Sequence, residues 1–213
     1  MHCCQLDHIT VTAPTLAQGA AFVRHALGVE LQPGGEHPRM GTHNLLLRLG
    51  DTLFLEVIAV NPDAPAPTRP RWFALDALRP DTPPRLSNWV ARTDDIRRAT
   101  AAASEALGEI EPMTRGALQW LITIPADGSL PMEGIAPALI EWQASVHPAS
   151  RLQDAGCSLH SFEALHPEPD RVTALLATLG LDKTVRVSPL PAGATPRLVS
   201  HIHTPTGLRT IGA

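Results

Sequence analysis

The chain has 213 residues, 44% hydrophobic and 18% charged, which supplies side chains for a buried core and too little charge for a disordered polymer. Lys+Arg 17 against Asp+Glu 21 leaves a net charge of -4 with no basic block, which argues against nucleic acid or anionic lipid as partners. The apolar runs LLLRLG and TLFLEVIAV fall far short of the roughly 20 residues that cross a bilayer, and three cysteines, two of them adjacent, make no disulfide framework, so a cytoplasmic protein with no membrane partner is expected.

At the N-terminus His2, Cys3 and Cys4 have the composition of a metal tag, although adjacent cysteines at a chain end are ordinarily just frayed chain. From Leu6, LDHITVTA predicts a strand and LAQGAAFVRHAL an amphipathic helix stopped at Gly28. VELQPG, THNLLLRLG and TLFLEVIAV predict three more strands, the last two joined by a turn at Gly50-Asp51. Residues 1–61 thus read as one βαβββ module, followed by a Pro-rich connector over 62–84. At a shift of 80 the pattern returns: Leu6-Asp7-His8 meets Leu86-Ser87-Asn88, and Leu27-Gly28 meets Leu107-Gly108. This second module, 85–148, has a helix in TDDIRRATAAASEALG with Thr93 as N-cap, then GALQWLITI and APALIEWQ as its third and fourth strands. Glu56 meets Glu141 at a shift of 85, the extra five residues falling in the loop IPADGSLPMEGIAP, where insertion costs little. A third, degenerate copy occupies 155–213, with a strand over Cys157–Phe162, a helix over Asp170–Leu179, and final strands VRVSPL, RLVSHIHT and GLRTI. There His160 falls opposite His8, but the position opposite Glu56 lies near Arg209, so the copy reads as structural.

Alternation along the first strand puts Leu6, His8, Thr10 and Thr12 on one face and Asp7, Ile9 and Val11 on the other, while Phe54, Glu56 and Ile58 share a face of the fourth. A carboxylate amid such apolar strands is costly unless paired, protonated or on a metal, and the same holds for Glu141 in ALIEW. Singly, each residue fits a structural role: the acids paired with Arg48 or Arg92 or facing solvent, His8 as a satisfied core histidine. At matching places of a repeat they point to a common site. The glycine-rich connector Gly34–Asn44 holds His37, which suits an acid, base or ligand, and Thr42 and Asn44, which suit hydrogen bonds to a substrate oxygen. A turn-rich hairpin with an exposed histidine is the bland alternative. Arg71-Trp72-Phe73 suits a pocket wall or core packing, and Trp89, Trp120 and Trp142 sit in predicted strands. GxSxG and phosphate-loop signatures are missing from the sequence.

Paired βαβββ units with His and Glu so placed resemble the vicinal oxygen chelate superfamily. More narrowly, PGGEHPRMGTHNLLLRLGDTLFLEVIAVNP, PRWFALD, WVARTDDI and the tail GCSLHSF…HPEPDRV…LGLD resemble the uncharacterised bacterial glyoxalase-like domain family. The resemblance implies an α+β fold whose modules curl into half-open barrel sheets around a divalent metal, here Zn, Ni, Mn or Mg. Carried over by position, the ligands are His8, Glu56, Glu141 and Asn88. An amide at position 88, where a second histidine would be wanted, disfavours Fe(II) ring cleavage and favours a lyase or isomerase that moves a proton beside a carbonyl. Glu141, or Glu56 by pseudo-symmetry, would be the general base, with His37, Thr42, Asn44 and Trp72 against a small-molecule substrate. A non-catalytic small-molecule binding or resistance protein is the rival. A scaffold whose sheet edge pairs subunits into a homodimer is a third reading.

Overall fold

A computed structural model of the protein describes residues 4–144 and 146–212; His2 and Cys3 of the expected tag lie outside the described residues. The first module runs β1 (Gln5–Thr12), α1 (Leu16–Leu27), β2 (Gln32–His37), β3 (Thr42–Gly50) and β4 (Leu53–Val60). Thr15 caps α1 by accepting from the Gln18 N–H, and Gly28 ends it at φ 71, a left-handed conformation that costs glycine nothing. On its inner face Gly19 lets the helix lie against β4, since a Cβ there would stand 2.3 Å from Val57 Cγ1.

The second module repeats the order as β5 (Arg85–Arg92), α2 (Ile96–Ala102), β6 (Glu109–Arg115), β7 (Leu118–Ile124) and β8 (Ala138–Trp142). Here α2 stops six residues before Gly108. Beyond Ala99 its alanines offer no further side chain to bury, and propensity without burial does not hold a short helix. Its N-cap is Asp95 rather than Thr93; the Thr93 hydroxyl instead accepts from the Asp95 N–H. In the first module β2 starts at Gln32, later than VELQPG suggests, which turns the presumed Gly34–Asn44 loop into a β2–β3 hairpin ending in buried His37.

The two modules join within one chain. Sheet A has the order β2-β3-β4-β1-β5-β8-β7-β6, with β1 and β5 antiparallel at its centre, Thr10 opposite Asn88 and His8 opposite Val90. Its curved inner face packs Met40, Ile58, Val90, Met113, Ile122 and Ile140 against the connector, whose 3-10 turn Trp72–Ala77 plugs the half-barrel with Trp72, Phe73 and Leu75. Phe73 and Ala74 take φ of 58 and 54, strained for side chains with a Cβ, and are held there by Trp72–Phe73 stacking and the Ala74 N–H donating to Gly128 O.

The third unit keeps the expected order of elements, β9 (Ser158–His166), α3 (Pro169–Leu179), β10 (Arg186–Pro189), β11 (Arg197–Thr204) and β12 (Gly207–Ile211). Its weave differs: sheet B runs β10-β9-β11-β12, with β9 internal instead of beside the last strand as in the first module. It covers the outer face of sheet A, where Trp89 meets Phe162 and one apolar core takes in α1, α3 and both sheets. Among the described residues no helix is long and apolar enough to cross a membrane.

Candidate functional site

Where β1 leaves strict pairing with β5, between Leu6 and His8, the strand bulges. A bulge breaks side-chain alternation, so neighbours expected on opposite faces act together. Asp7, fully buried, thereby reaches His8: Asp7 Oδ1 lies 2.6 Å from His8 Nδ1. Asp7 Oδ2 accepts from Trp142 Nε1 and His147 Nε2, both at 2.8 Å. His147 Nδ1 accepts from the Ala149 N–H, so the proton it gives Asp7 is on Nε2. Burial would raise the Asp7 carboxyl, but hydrogen bonds from His147 and His8 outweigh it and hold the acid well below the usual carboxylate range.

With Nδ1 donating to Asp7, His8 presents Nε2 to the interior, 3.7 Å from Glu56 Oε2, while Phe54 stacks on the ring at 4.5 Å. Glu56 is 5% exposed and accepts from Asn44 Nδ2 at 2.5 Å through its other oxygen. His37 lines the same pocket, with Nδ1 3.1 Å from Thr42 Oγ1 and its ring edge-on to Trp72 and Trp120. Burial, assisted by Arg115, His8 and His43, lowers its pKa to about 3, so His37 is neutral at physiological pH. The pocket these groups enclose holds about 20 Å³, room for one water-sized body. Larger open hollows lie elsewhere, one of about 390 Å³ between α1, β5 and sheet B, away from every group named here.

Of the four expected ligands, the structure brings His8 and Glu56 together and leaves two apart. Glu141 is on the opposite face of β8: Oε2 accepts from the Ile96 N–H and Oε1 from Gln143 Nε2, so it tethers the start of α2. Strand pairing explains the correction. Thr10 stands beside Glu56, and its repeat counterpart Val90 stands beside Ala138, which makes Ala138 the true match of Glu56. Glu141 is an odd number of residues further on and therefore turned outward. Asn88 lines a separate cavity with Trp72 and Thr123, its Oδ1 accepting from Ser87. Among the described residues no group of three or more His, Cys, Asp or Glu side chains could hold a metal ion together. The expected donor set does not fit the metal: of His8, Glu56, Glu141 and Asn88 only one imidazole and one carboxylate converge, and that carboxylate is already engaged by Asn44.

His37, Thr42, Asn44 and Trp72 all gather at this pocket, though Thr42 and Asn44 hold His37 and Glu56. Asp7, His147 and Arg115 went unrecognised in the sequence. An acid adjoining the key histidine was a visible signal for Asp7; nothing local marked the other two.

A model of the glyoxalase-like domain matches residues 6–180. The chain belongs to that family. With it, the chain belongs to the vicinal oxygen chelate superfamily. Among solved structures, this glyoxalase-like chain is similar to a hypothetical protein from Staphylococcus aureus, 16% identical with a TM-score of 0.58 over 83% of this chain and 74% of that one. It is also similar to the methylmalonyl-CoA epimerase from Mycobacterium tuberculosis (14% identity, TM-score 0.41, 65% of this chain and 86% of that one). A Streptomyces coelicolor methylmalonyl-CoA epimerase in complex with 2-nitronate-propionyl-CoA matches at 17% identity and TM-score 0.43, over 66% of this chain and 98% of that one. No curated protein matches. At such identities the likeness speaks for the fold alone.

Proposed function

We propose that this glyoxalase-like protein is an isomerase-type enzyme that moves a proton on a carbon next to a carbonyl of a small molecule, with Glu56 as general base and His8 as its acid partner. The observation that carries the reading is the buried row Asp7–His8–Glu56, in which one carboxylate fixes an imidazole so that its second nitrogen faces another carboxylate at 3.7 Å. Glu56 takes the proton from carbon, and Asn44 keeps the carboxylate aimed. His8 Nε2 gives or accepts a proton at the carbonyl oxygen, since Asp7 engages Nδ1 and steadies the ring in either charge state. The apolar walls Phe54, Trp120 and Ile122 keep water from competing for the proton. A divalent metal, as the resemblance implies, is not part of this scheme, because Glu141 is on the opposite face of β8 and Asn88 lines a separate cavity from His8 and Glu56.

Solvent-deuterium incorporation beside the carbonyl of candidate substrates, followed by proton NMR, tests the assignment. Glu56→Gln is expected to lower the exchange rate on the order of 10²–10⁴-fold, and Glu141→Gln to leave it unchanged. The reverse ranking would remove Glu56 from the chemistry.

A non-catalytic binding role has one observation in its favour: the Trp72–Phe73 plug fills the half-barrel and leaves the pocket about 20 Å³. Such a role predicts ligand-dependent quenching of tryptophan fluorescence with no exchange on any bound compound.

A further inference from the structure

β2 and β6 are the two free edges of sheet A. Where they approach, the Arg115 stem crosses Gly35, and a Cβ on that glycine would stand 3.1 Å from Arg115 Cγ. At the other end the seam is tied by Arg39, which donates to Pro112 O at 2.7 Å and pairs with Glu111. Arg115 is the side chain shared by the His8–Glu56 pocket within and an open groove of about 360 Å³ outside. Gly34, Gly35, Gly116 and Ala117 floor this groove, leaving backbone and room, and its other charged lining residue is Arg151.

No carboxylate lines the groove, and among the described residues neither guanidinium makes an ion pair. Of the other part-buried arginines, Arg48, Arg69 and Arg71 each have a carboxylate partner, and Arg92 donates to Leu6 O, Thr52 O and Gln5 Oε1. A part-buried cation with no carboxylate within ion-pair distance is costly, and the planar fork of arginine is matched to a two-oxygen anion. Burial lowers the Arg115 pKa and attraction to Glu56 opposes it, so a bound anion would supply what the site lacks.

We infer that the β2–β6 groove is the substrate's binding site and that the substrate is a dianionic organic compound, with one oxyanion group on Arg115 and a second on Arg151. Bound this way, the molecule reaches the His8–Glu56 pocket through the seam, its carbon next to the Arg115-held anion leading inward. The choice of a carbonyl compound rests on the proton-transfer reading; the anion site does not.

Equilibrium titration of the full-length protein with 2-oxoglutarate, its dimethyl ester and inorganic phosphate, read by fluorescence of the pocket's tryptophans and by calorimetry, tests the inference. The diacid is expected to bind at least 10-fold more tightly than the ester, and more weakly as salt rises. Arg115→Gln is expected to weaken binding 10-fold or more, Arg115→Lys to recover part of the loss, and Arg151→Gln to weaken it several-fold. Arg97→Gln, exposed on α2, serves as the unchanged control. Phosphate that competes in the wild type but not in Arg115→Gln assigns the anion site to phosphorylated substrates; phosphate that fails to compete assigns it to carboxylates. Acid and ester binding alike, or an Arg115→Gln protein with unchanged melting temperature and unchanged affinity, would overturn it. Loss of exchange in Glu56→Gln with diacid binding intact supports both readings. Exchange by the wild type without Arg115-dependent binding removes the anion site alone.

Discussion

His37 in the pocket and Asp7 behind His8 show how burial and hydrogen bonding push two side chains toward fixed charge states by different routes. Burial keeps His37 neutral, while three donors keep Asp7 ionised against burial. Their linkage to stability has a definite sign. The His37 pKa lies below its unfolded value, so between pH 6.5 and about 3 the unfolded chain binds the extra proton and stability falls as pH falls. Below the ordinary carboxylate value of 3.8, protonation of Asp7 in the unfolded chain removes a further share. Urea unfolding as a function of pH should show His37 contributing a slope of up to about 1.4 kcal/mol per pH unit. In His37→Gln that component should vanish from the upper part of the window while the Asp7 component below remains. An unchanged slope would mean that His37 is not the buried neutral group described.

Between elements, one carboxylate changed its meaning once strand register was known. Glu141 looked like a ligand because it sits amid apolar residues in a repeat, and the apparent match used a loop insertion to absorb the offset. Face assignment depends on parity, and pairing of β8 with β5 puts Ala138 where the match was sought. Glu141 accepts one of the N–H groups that a helix start leaves unpaired. Glu141→Ala is therefore expected to cost about 1 kcal/mol of stability, seen as a lowered urea midpoint with an unchanged exchange rate; equal losses of both would restore it to the site. Elements with strong periodicity were legible in the sequence, among them β1, β3, β4, α1 and α3. Less legible was whatever depended on departures from periodicity: the Asp7–His8 bulge, the early end of α2, and the left-handed turn at Phe73-Ala74. Contacts across 135 and 140 residues, from Asp7 to Trp142 and His147, leave no local trace either.

On the scale of the whole molecule, the two modules complete one curved sheet inside a single chain, so the pocket needs no second copy. The exchange rate per chain should stay constant over a 100-fold dilution, measured alongside light scattering; a rate that falls as chains separate would place part of the site in a partner. Sheet B adds its apolar face to the outside of sheet A and takes no part in the pocket, which explains how His160 resembles His8 in position without sharing its surroundings. His160 instead faces His203, at 3.2 Å, on an exposed surface.

Proton transfer by Glu56 and His8 without a metal is most directly tested by deuterium wash-in beside the carbonyl of an anionic 2-oxo acid, using protein shown by elemental analysis to be metal-free. Wash-in by the wild type, lost in both Glu56→Gln and His8→Gln, is the predicted result. Wash-in that appears only after one divalent ion per chain is restored, or that persists in Glu56→Gln, would contradict it.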